Sequence, residues 1–239
     1  MADNTVKPSG KLYMIPVSLS ENGLSTIPEN VKQISISLKY YFVENVRTAR
    51  RYLKSIDKAV DIDSIQFSEV NSQTKPDVEL LKKWLKAGHS VGMMSEAGCP
   101  GVADPGSDLA AKAQELGAQV IPLTGPSSVL LALMASGFNG QGFRFAGYLP
   151  VKEPMRNKAI KELEAISAQR NETQIFIETP YRNNPLLQEI IRHCKPGTRL
   201  CVAADITGEK EFIRTMAIGE WAKQMPDLHK RPVIFLMMA

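Results

Sequence analysis

The chain has 239 residues, of which 44% are hydrophobic and 23% charged, which is ordinary usage for a globular protein of one or two domains. This composition does not indicate disorder. The apolar runs VLLALMA and VIFLMMA are too short to cross a bilayer, and the start, MADNTVKPSG, has no signal-peptide pattern. A formal net charge of +4 permits nucleic-acid binding without requiring it.

The first part of the chain alternates predicted strands and helices, as in a parallel α/β sheet. Within it, TKPDVELLKKWLKAG predicts a helix with Pro76 early, Leu81 and Leu85 on one apolar stripe and Gly88 as its stop. Trp84 on this helix is expected in the core rather than on a base-stacking surface. The predicted strands are residues 11–16, 40–44, 65–67, 90–94 and 119–123.

The segment from His89 to Gly137 carries the most information. A buried strand, HSVGMM, leads into the long turn SEAGCPGVADPG, which we call the glycine-rich loop (residues 95–106). A helix capped at Ser107, a strand and the turn TGPSS (residues 124–128) follow. A strand-to-helix loop of about a dozen residues is longer than a plain connector. Both turns are expected beyond the carboxyl ends of parallel strands, where ligands collect in such sheets.

Glycines and prolines predict a fixed shape and accessible backbone for the glycine-rich loop, because glycine allows close approach and proline fixes φ. This suits a small ligand, although Asp-Pro-Gly and Gly-Pro are also common in ordinary tight turns. The chain has no G-x-G-x-x-G after a strand and no G-x-x-x-x-G-K-[ST], which argues against a dinucleotide or a nucleoside triphosphate.

A break falls in NGQGFRFAGYLPVKEP, where glycine and proline concentrate. We therefore predict an N-terminal α/β lobe of residues 1–146 and a C-terminal α/β lobe of residues 147–239, with a ligand cleft between them. The second lobe begins with an amphipathic helix over residues 155–169. Its strands are QIFIE, RLCVAA, EFIRTMAI and VIFLMM, and the lack of helices after Ala204 predicts antiparallel pairing in a mixed sheet.

Motifs spread over nearly the whole chain resemble those of the tetrapyrrole methylase superfamily of S-adenosylmethionine-dependent methyltransferases. The most similar branch is the one that methylates a ribose 2′-hydroxyl of 16S, small-subunit ribosomal RNA. Its core S-D-A-G-T-P-x-x-x-D-P-G, followed by P-G-P and a small-residue pair, is matched with the same spacing by SEAGCP, DPG and TGPSS. Further matches are GKLYMIPV (residues 10–17), VENVRTARRYL (43–53), GYLP (147–150), ETPYR (178–182) and ADITGEKE (204–211).

The sequence departs from the pattern of this branch mainly where the substrate is expected. Glu96 replaces the usual aspartate, and Asn45 and Val46 interrupt an A-E-D-T-R motif of which Glu44 and Arg47 remain. The segment PVSLSENGLSTIP, which we call the first turn (residues 16–28), lacks the usual T-P-I-G-N loop. The sequence also ends at HKRPVIFLMMA, where many enzymes of the branch carry a further carboxyl-terminal segment.

The resemblance implies a two-lobe fold, S-adenosylmethionine as cofactor, a homodimer and in-line displacement of the methyl group by the acceptor. A ribose acceptor would need a base, and Glu44 and Glu96 are the carboxylates expected nearest the cleft. Each has a structural alternative, which is pairing with Arg47 for Glu44 and capping of loop amides for Glu96. The resemblance also implies donor contacts at Glu96, Gly98, Val102, Asp104, Ser127, Ser128, Tyr148, Thr179, Pro180, Ala204 and Thr207.

Basic residues form two groups whose spacing allows them to meet phosphates along one helix face or merely to stay solvated. The groups are Arg47, Arg50, Arg51 and Lys54, and Lys152, Arg156, Lys158 and Lys161. Cys99, Cys194 and Cys201 have no CxxC spacing, which fits a cytoplasmic protein without disulfides or a metal site. Methyl transfer needs no thiol, so Cys99 is expected to be a small loop residue.

Three functions are consistent with the sequence, and none involves a membrane. The first is methylation of a ribose 2′-hydroxyl in ribosomal RNA or in the small ribosomal subunit, which the loop match and the basic groups favour. The second keeps the cofactor but methylates a tetrapyrrole or another small molecule, as other branches do. The third is a non-catalytic S-adenosylmethionine-binding module, which only the altered first turn favours.

Overall fold

The computed structural model describes residues 8–71 and 73–239. The opening residues of MADNTVKPSG, and with them the start of the predicted N-terminal lobe, lie outside the described residues. Contacts between residues divide the chain into two compact units, a first unit that ends at Pro126 and a second unit, Ser127–Ala239. None of the helices in the described ranges is long and apolar enough to cross a membrane.

The first unit is built around a parallel sheet, as the alternating sequence pattern predicts. Its strands are β1 (Lys11–Met14), β2 (Tyr40–Val43), β3 (Gln66–Glu69), β4 (Val91–Met94) and β5 (Gln119–Pro122), in the spatial order β3-β2-β4-β1-β5. Its helices are α1 (Glu29–Ser37), α2 (Val46–Ile56), α3 (Val78–Lys86) and α4 (Ser107–Glu115), with a short 3-10 helix at Gly23–Thr26. Every residue of β4 is buried, as expected for a parallel strand that is covered on both faces.

Two helix starts in the first unit are set by residues of the predicted motifs. The Asn45 side chain accepts hydrogen bonds from the backbone N–H groups of Arg47 and Thr48, at 2.9 and 3.2 Å. The residue that interrupts the A-E-D-T-R motif is therefore the N-cap of α2. Helix α4 is capped by Gly106, and the predicted cap Ser107 is instead its first helical residue.

The only tryptophan of α3 belongs to the core of the first unit, as predicted. Trp84 is 5% exposed, and its ring centroid lies 5.1 Å from that of Tyr40 and 5.3 Å from that of Phe42. These aromatic contacts fix α3 against β2. Trp84 is therefore not accessible for stacking on a nucleic-acid base.

The second unit has a mixed sheet, which confirms the predicted architecture. Its strands are β6 (Phe143–Tyr148), β7 (Thr173–Ile177), β8 (Arg199–Ala204), β9 (Phe212–Ala217) and β10 (Val233–Met238), in the order β6-β7-β10-β8-β9. Its helices are α5 (Ser128–Ser136), α6 (Met155–Arg170), α7 (Asn183–His193) and α8 (Ile218–Trp221). Strands β6 and β7 pair in parallel, and the other pairs are antiparallel, as predicted. The expected lack of helices after Ala204 was wrong, because α8 separates β9 from β10, which are not neighbours in the sheet.

The division between the units falls before α5, whereas glycine and proline composition places a boundary between residues 146 and 147. A boundary there would cut β6, which pairs along its length with β7. Gly147 lies at a register shift within this edge strand. Helix α5 also belongs to the second unit, where the Thr215 hydroxyl donates to the Ser136 carbonyl at 2.8 Å. Glycine in this segment therefore belongs to an irregular edge strand. Amino-acid composition alone does not distinguish such a strand from a linker between domains.

Arg156 lies inside the second unit and not on a basic surface. Its guanidinium forms a bidentate ion pair with Glu189 and donates to the Val151 carbonyl at 2.9 Å. The two paired side chains are only 11% and 9% exposed. The prediction of a basic surface group was therefore wrong for Arg156. The exposed members of that group are Lys152, Lys158 and Lys161.

The substitution Glu189→Gln would leave the buried guanidinium without its charge partner, so we expect the free energy of unfolding to fall by about 3–5 kcal/mol. As a control, Glu115→Gln removes a more exposed ion pair with Lys112 and should lower it by no more than about 1 kcal/mol. Urea unfolding followed by circular dichroism measures both changes. Equal losses in the two variants would contradict a stabilising buried pair.

Candidate functional site

All strands of the first sheet run in the same direction, so the segments that follow them leave at one edge of the sheet. The first turn follows β1, Glu44 follows β2, the glycine-rich loop follows β4 and the TGPSS turn begins after β5. Parallel pairing thus brings segments that are distant in sequence to a common carboxyl edge.

Two backbone hydrogen bonds join the first turn to the glycine-rich loop. The Val17 N–H donates to the Gly98 carbonyl at 2.9 Å, and the Gly98 N–H donates to the Val17 carbonyl at 3.1 Å. Gly98 has a φ of +69°, and a β-carbon there would lie 3.1 Å from the Leu19 side chain. The first turn is therefore held against the loop even though it lacks the usual T-P-I-G-N sequence.

The TGPSS turn also packs against the first turn. A β-carbon on Gly125 would lie 2.2 Å from the Pro16 ring, so this approach requires glycine. The Cys99 thiol, 3.5 Å from the Pro126 carbonyl, links the glycine-rich loop to the same turn. Burial and the negative charge of Asp104 raise the pKa of Cys99, which keeps the thiol protonated. This agrees with a small loop residue and not with a nucleophile.

Glu44 and Glu96, the predicted catalytic candidates, meet at the carboxyl edge. Glu44 Oε2 accepts a hydrogen bond from the backbone N–H of Glu96 at 2.9 Å, and Glu96 Oε1 lies 3.5 Å from the Thr48 hydroxyl. Within the described residues, Glu44 forms no ion pair with Arg47, and the Glu96 carboxylate caps no loop amide. Glu44 instead fixes the backbone at the position where the glycine-rich loop begins.

Asp104 adds a third carboxyl group to this acidic cluster. Burial and the charge of Glu44 raise the pKa of Asp104 to about 6; Glu96 raises it further, and a hydrogen bond from the Ser95 hydroxyl opposes the shift. In residues 8–71 and 73–239, no Lys or Arg nitrogen lies within 4 Å of any carboxylate of the cluster. An acidic cluster without a cation partner attracts a positively charged ligand.

A cavity of about 490 Å³ lies within the first unit. Its lining comprises residues 17–21 of the first turn, residues 94–97 after β4 and, from α2, Thr48, Ala49, Arg51, Tyr52 and Ser55. Sequence reasoning placed the first turn and the glycine-rich loop, with Glu96, at the ligand site and noted the charge of Arg51, but it missed the other lining residues of α2 and Met94. The spacing of three or four along α2 was an available signal, because such residues share one helix face. The contribution of the first turn depends on its backbone path, for which the sequence offered no pattern.

In the second unit, β6, β7 and β8 run in the same direction, and predicted donor contacts lie at their carboxyl ends or in the following turns. The Lys230 N–H donates to the Pro180 carbonyl at 3.0 Å, and Arg231 pairs with Asp205 at 2.6 Å. The segment before β10 thereby joins the turns that follow β7 and β8. The predicted contacts at this edge are Tyr148, Thr179, Pro180, Ala204 and Thr207.

The turn after β7 is organised by a buried carboxylate. The Glu178 side chain is 1% exposed and accepts hydrogen bonds from Arg182 at 2.7 Å and from the Thr179 N–H at 2.6 Å. Burial alone would raise the pKa of Glu178, but these hydrogen bonds and the charge of Arg182 outweigh burial and lower it. An ionised Glu178 therefore fixes the backbone at Thr179 and Pro180.

The turn after β8 holds strained backbone. Asp205 and Thr207 have φ values of +49° and +67°, and a positive φ is rare for a β-branched residue such as threonine. The Thr207 N–H donates to Glu211 Oε2 at 2.7 Å, which stabilises the turn. Backbone strain of this kind is concentrated at functional sites in proteins.

The remaining predicted contacts lie at a helix start and in the glycine-rich loop. Ser127 is the N-cap of α5, with its hydroxyl 3.5 Å from the Leu130 N–H, and Ser128 is the first residue of that helix. Val102 is 49% exposed within the glycine-rich loop. The first unit thus brings together Glu96, Gly98, Val102 and Asp104, while the other predicted contacts belong to the second unit.

The chain is similar to proteins of known class. A family model described as Tetrapyrrole (Corrin/Porphyrin) Methylases matches residues 40–222. Ribosomal RNA small subunit methyltransferase I of Vibrio cholerae serotype O1 is 28% identical over 99% of this chain and 81% of the relative. The protein of the same name from Escherichia coli O157:H7 is 27% identical over 99% and 79%, and that from Bacillus subtilis strain 168 is 28% identical over 94% and 74%.

The residues that the family model matches include α2, the glycine-rich loop and the TGPSS, ETPYR and ADITGEKE turns. Accessible backbone beside an acidic cluster also suits a methyl donor that carries a positive sulfonium. The chain therefore belongs to the tetrapyrrole (corrin/porphyrin) methylase family, and it is a methyltransferase that uses S-adenosylmethionine.

Proposed function

We propose that this methyltransferase acts on a ribose 2′-hydroxyl of small-subunit ribosomal RNA. The observation that carries the proposal is the similarity, over 99% of this chain, to two proteins named Ribosomal RNA small subunit methyltransferase I. Basic side chains on the exposed surface of α2 support it, because phosphate contacts supply much of the affinity for RNA. They are Arg47, Arg50, Arg51 and Lys54. A cytoplasmic location follows from this substrate, and the homodimer implied by the resemblance stays a prediction.

We assign the donor contacts to the residues that the family motifs indicate. S-adenosylmethionine supplies an activated methyl group on a cationic sulfur, so the protein has chiefly to position the reactants and exclude water. The acidic cluster complements that positive charge and loses this attraction once the neutral sulfur of the product forms. The contacts in the first unit are Glu96, Gly98, Val102 and Asp104, and those in the second are Ser127, Ser128, Tyr148, Thr179, Pro180, Ala204 and Thr207.

We assign the base to Glu96 and a positioning role to Glu44. The Glu44 carboxylate already accepts the backbone N–H of Glu96 and so holds the start of the glycine-rich loop. The Glu96 side chain is exposed and lines the cavity, which leaves its carboxylate available to a ribose hydroxyl. Proton transfer to such a carboxylate assists attack of the oxygen on the methyl carbon.

Incubation of the protein with labelled S-adenosylmethionine and small ribosomal subunits, or their naked RNA, tests the proposed acceptor. We expect label at one ribose, where the adjacent phosphodiester becomes resistant to alkali because its 2′-hydroxyl is blocked. Mass spectrometry of nuclease fragments identifies the nucleotide. Label on a base would overturn the ribose assignment, and label on a porphyrinoid precursor but not on RNA would favour the tetrapyrrole alternative.

Replacing Gly98 with leucine should weaken S-adenosylmethionine binding by at least about tenfold, because Gly98 is buried beside Leu19 and the loop assigned to the donor would have to shift to admit a side chain. Gly137→Leu is a matched control, since Gly137 has nearly the same φ, +71° against +69°, but nothing within 4 Å of its β-carbon position. Both variants carry a similar backbone strain of about 1–2 kcal/mol. Calorimetric titration that finds equal affinities in the two variants would show that the donor lies elsewhere.

The raised pKa of Asp104 predicts a pH dependence. As pH rises through about 6, Asp104 becomes charged, so affinity for cationic S-adenosylmethionine should rise relative to that for neutral S-adenosylhomocysteine. The free energy of unfolding depends on pH in the opposite direction, because folding raises the pKa of Asp104. The contribution of this carboxyl to stability is full below its unfolded pKa, near about 4, and is lost as pH rises through about 6. Asp104→Asn should abolish both dependences.

The exposed Asp108, at the start of α4, offers a control that removes the same charge outside the cluster. Titrations with both ligands and thermal unfolding, each between about pH 5 and 7.5, are compared for wild type, Asp104→Asn and Asp108→Asn. If the ratio of the two ligand affinities does not change with pH in the wild type, or if the two variants show the same pH dependence, the role given to Asp104 is refuted.

A further inference from the structure

We infer that the cavity of the first unit is the subsite for one unpaired ribonucleotide of the acceptor RNA, with Arg51 at its phosphate. This inference rests on the proposed function and specifies where that substrate binds. The cavity volume of about 490 Å³ falls in the range of small-ligand sites. Proteins that modify a nucleotide within RNA commonly bind it unstacked and separate from its neighbours.

The position of the cavity links it to the chemistry. Glu96, the proposed base, and Ala97 form part of its wall, and the next residue, Gly98, belongs to the part of the glycine-rich loop assigned to the donor. The first turn forms another wall and is fixed to Gly98 by the Val17 hydrogen bonds. A hydroxyl group bound in the cavity would therefore lie at the same loop as the donor.

The lining has the mixed chemistry that a nucleotide requires. Buried Val17, Ala49 and Met94 supply an apolar surface on which a flat base can lie. Hydroxyl groups on α2 and the first turn, together with the carboxylates of Glu21 and Glu96, can accept hydrogen bonds from ribose hydroxyls or an exocyclic amino group. These carboxylates would repel the carboxylate side chains of a tetrapyrrole and the phosphate of a nucleotide alike, so a nucleotide phosphate needs a cation such as Arg51 beside it.

Arg51 differs from the basic residues beside it. The Arg50 guanidinium lies over the Phe67 ring at 5.6 Å, and the Lys54 ammonium donates to the Lys58 carbonyl at 2.8 Å. In the part of the chain that the structure describes, no carboxylate lies within 4 Å of Arg51, which lines the cavity from an exposed position on α2. An arginine without a carboxylate partner beside a nucleotide-sized cavity is suited to a phosphate.

The first test fills the cavity and compares a matched position. Ser55 lines the cavity and its hydroxyl donates to the carbonyl three residues back at 2.7 Å, whereas Ser37 makes the same local bond at 2.8 Å on α1 and does not line it. Both serines are exposed. We expect Ser55→Trp to weaken binding of ribonucleoside 5′-monophosphates at least about tenfold and Ser37→Trp to leave it unchanged. Affinity for S-adenosylmethionine should be the same in both variants.

The second test separates a specific phosphate contact from general charge. Arg51→Gln and Arg50→Gln each remove one positive charge from α2, but we expect only the former to weaken nucleotide binding, by about tenfold. Calorimetry with the monophosphates, in the presence of S-adenosylhomocysteine, measures both. Equal losses in the two variants, or no nucleotide binding to the wild type, would overturn the inference.

Methyl transfer separates failure of the subsite from failure of the proposed function. If Ser55→Trp methylates small-subunit RNA as well as Ser37→Trp does, the subsite is wrong and the function stands. If nucleotide binding responds to Ser55→Trp and Arg51→Gln as expected but no RNA is methylated by the wild type, the subsite stands and the proposed acceptor is wrong.

Discussion

Parallel pairing of β1, β2 and β4 is the constraint on which the candidate site of the first unit depends. Strand β4 is buried at every residue between its two partners, so its direction and register are fixed by burial on both faces. The segments after all these strands must therefore leave at one edge. The hydrogen bond from Glu96 to Glu44 and the bridge between Val17 and Gly98 form because of that convergence. A slip in register would separate both pairs.

The acidic cluster does not stabilise the fold, and its charge is better explained by ligand binding. Burial is the main cause that raises the pKa of Asp104 to about 6, and repulsion from the charges of Glu44 and Glu96 adds to it. Backbone hydrogen bonds and fixed turns hold the cluster together despite this repulsion. Two buried carboxylates elsewhere are neutralised by an arginine, Glu178 by Arg182 and Glu189 by Arg156. A cluster left without such partners is suited to a cationic ligand, which the methyl donor of this family is.

Much of the fold could be predicted because its signals are local. Apolar runs gave the buried strands, and the spacing of the turns placed the glycine-rich loop after β4. Strand β6 was missed because its glycines resembled a linker, and the burial of Arg156 depends on Glu189, which is distant in sequence. The role of Glu44 could not be predicted for the same reason. Its partner is the backbone N–H of Glu96, which no residue type reveals.

The altered first turn bears on how one family can serve different acceptors. Its sequence departs from the branch pattern, yet Val17 still bridges to Gly98 and Pro16 still packs on Gly125. The contacts that support the loops to which we assign the donor are therefore made largely by backbone and ring atoms, which tolerate substitution of the neighbouring side chains. Those side chains, at residues 18–21, line the cavity instead. Substitutions at residues 18–21 can therefore change which acceptor fits the cavity while the glycine-rich loop keeps its shape. Departures from the family pattern in the first turn are thus not evidence that donor binding has been lost.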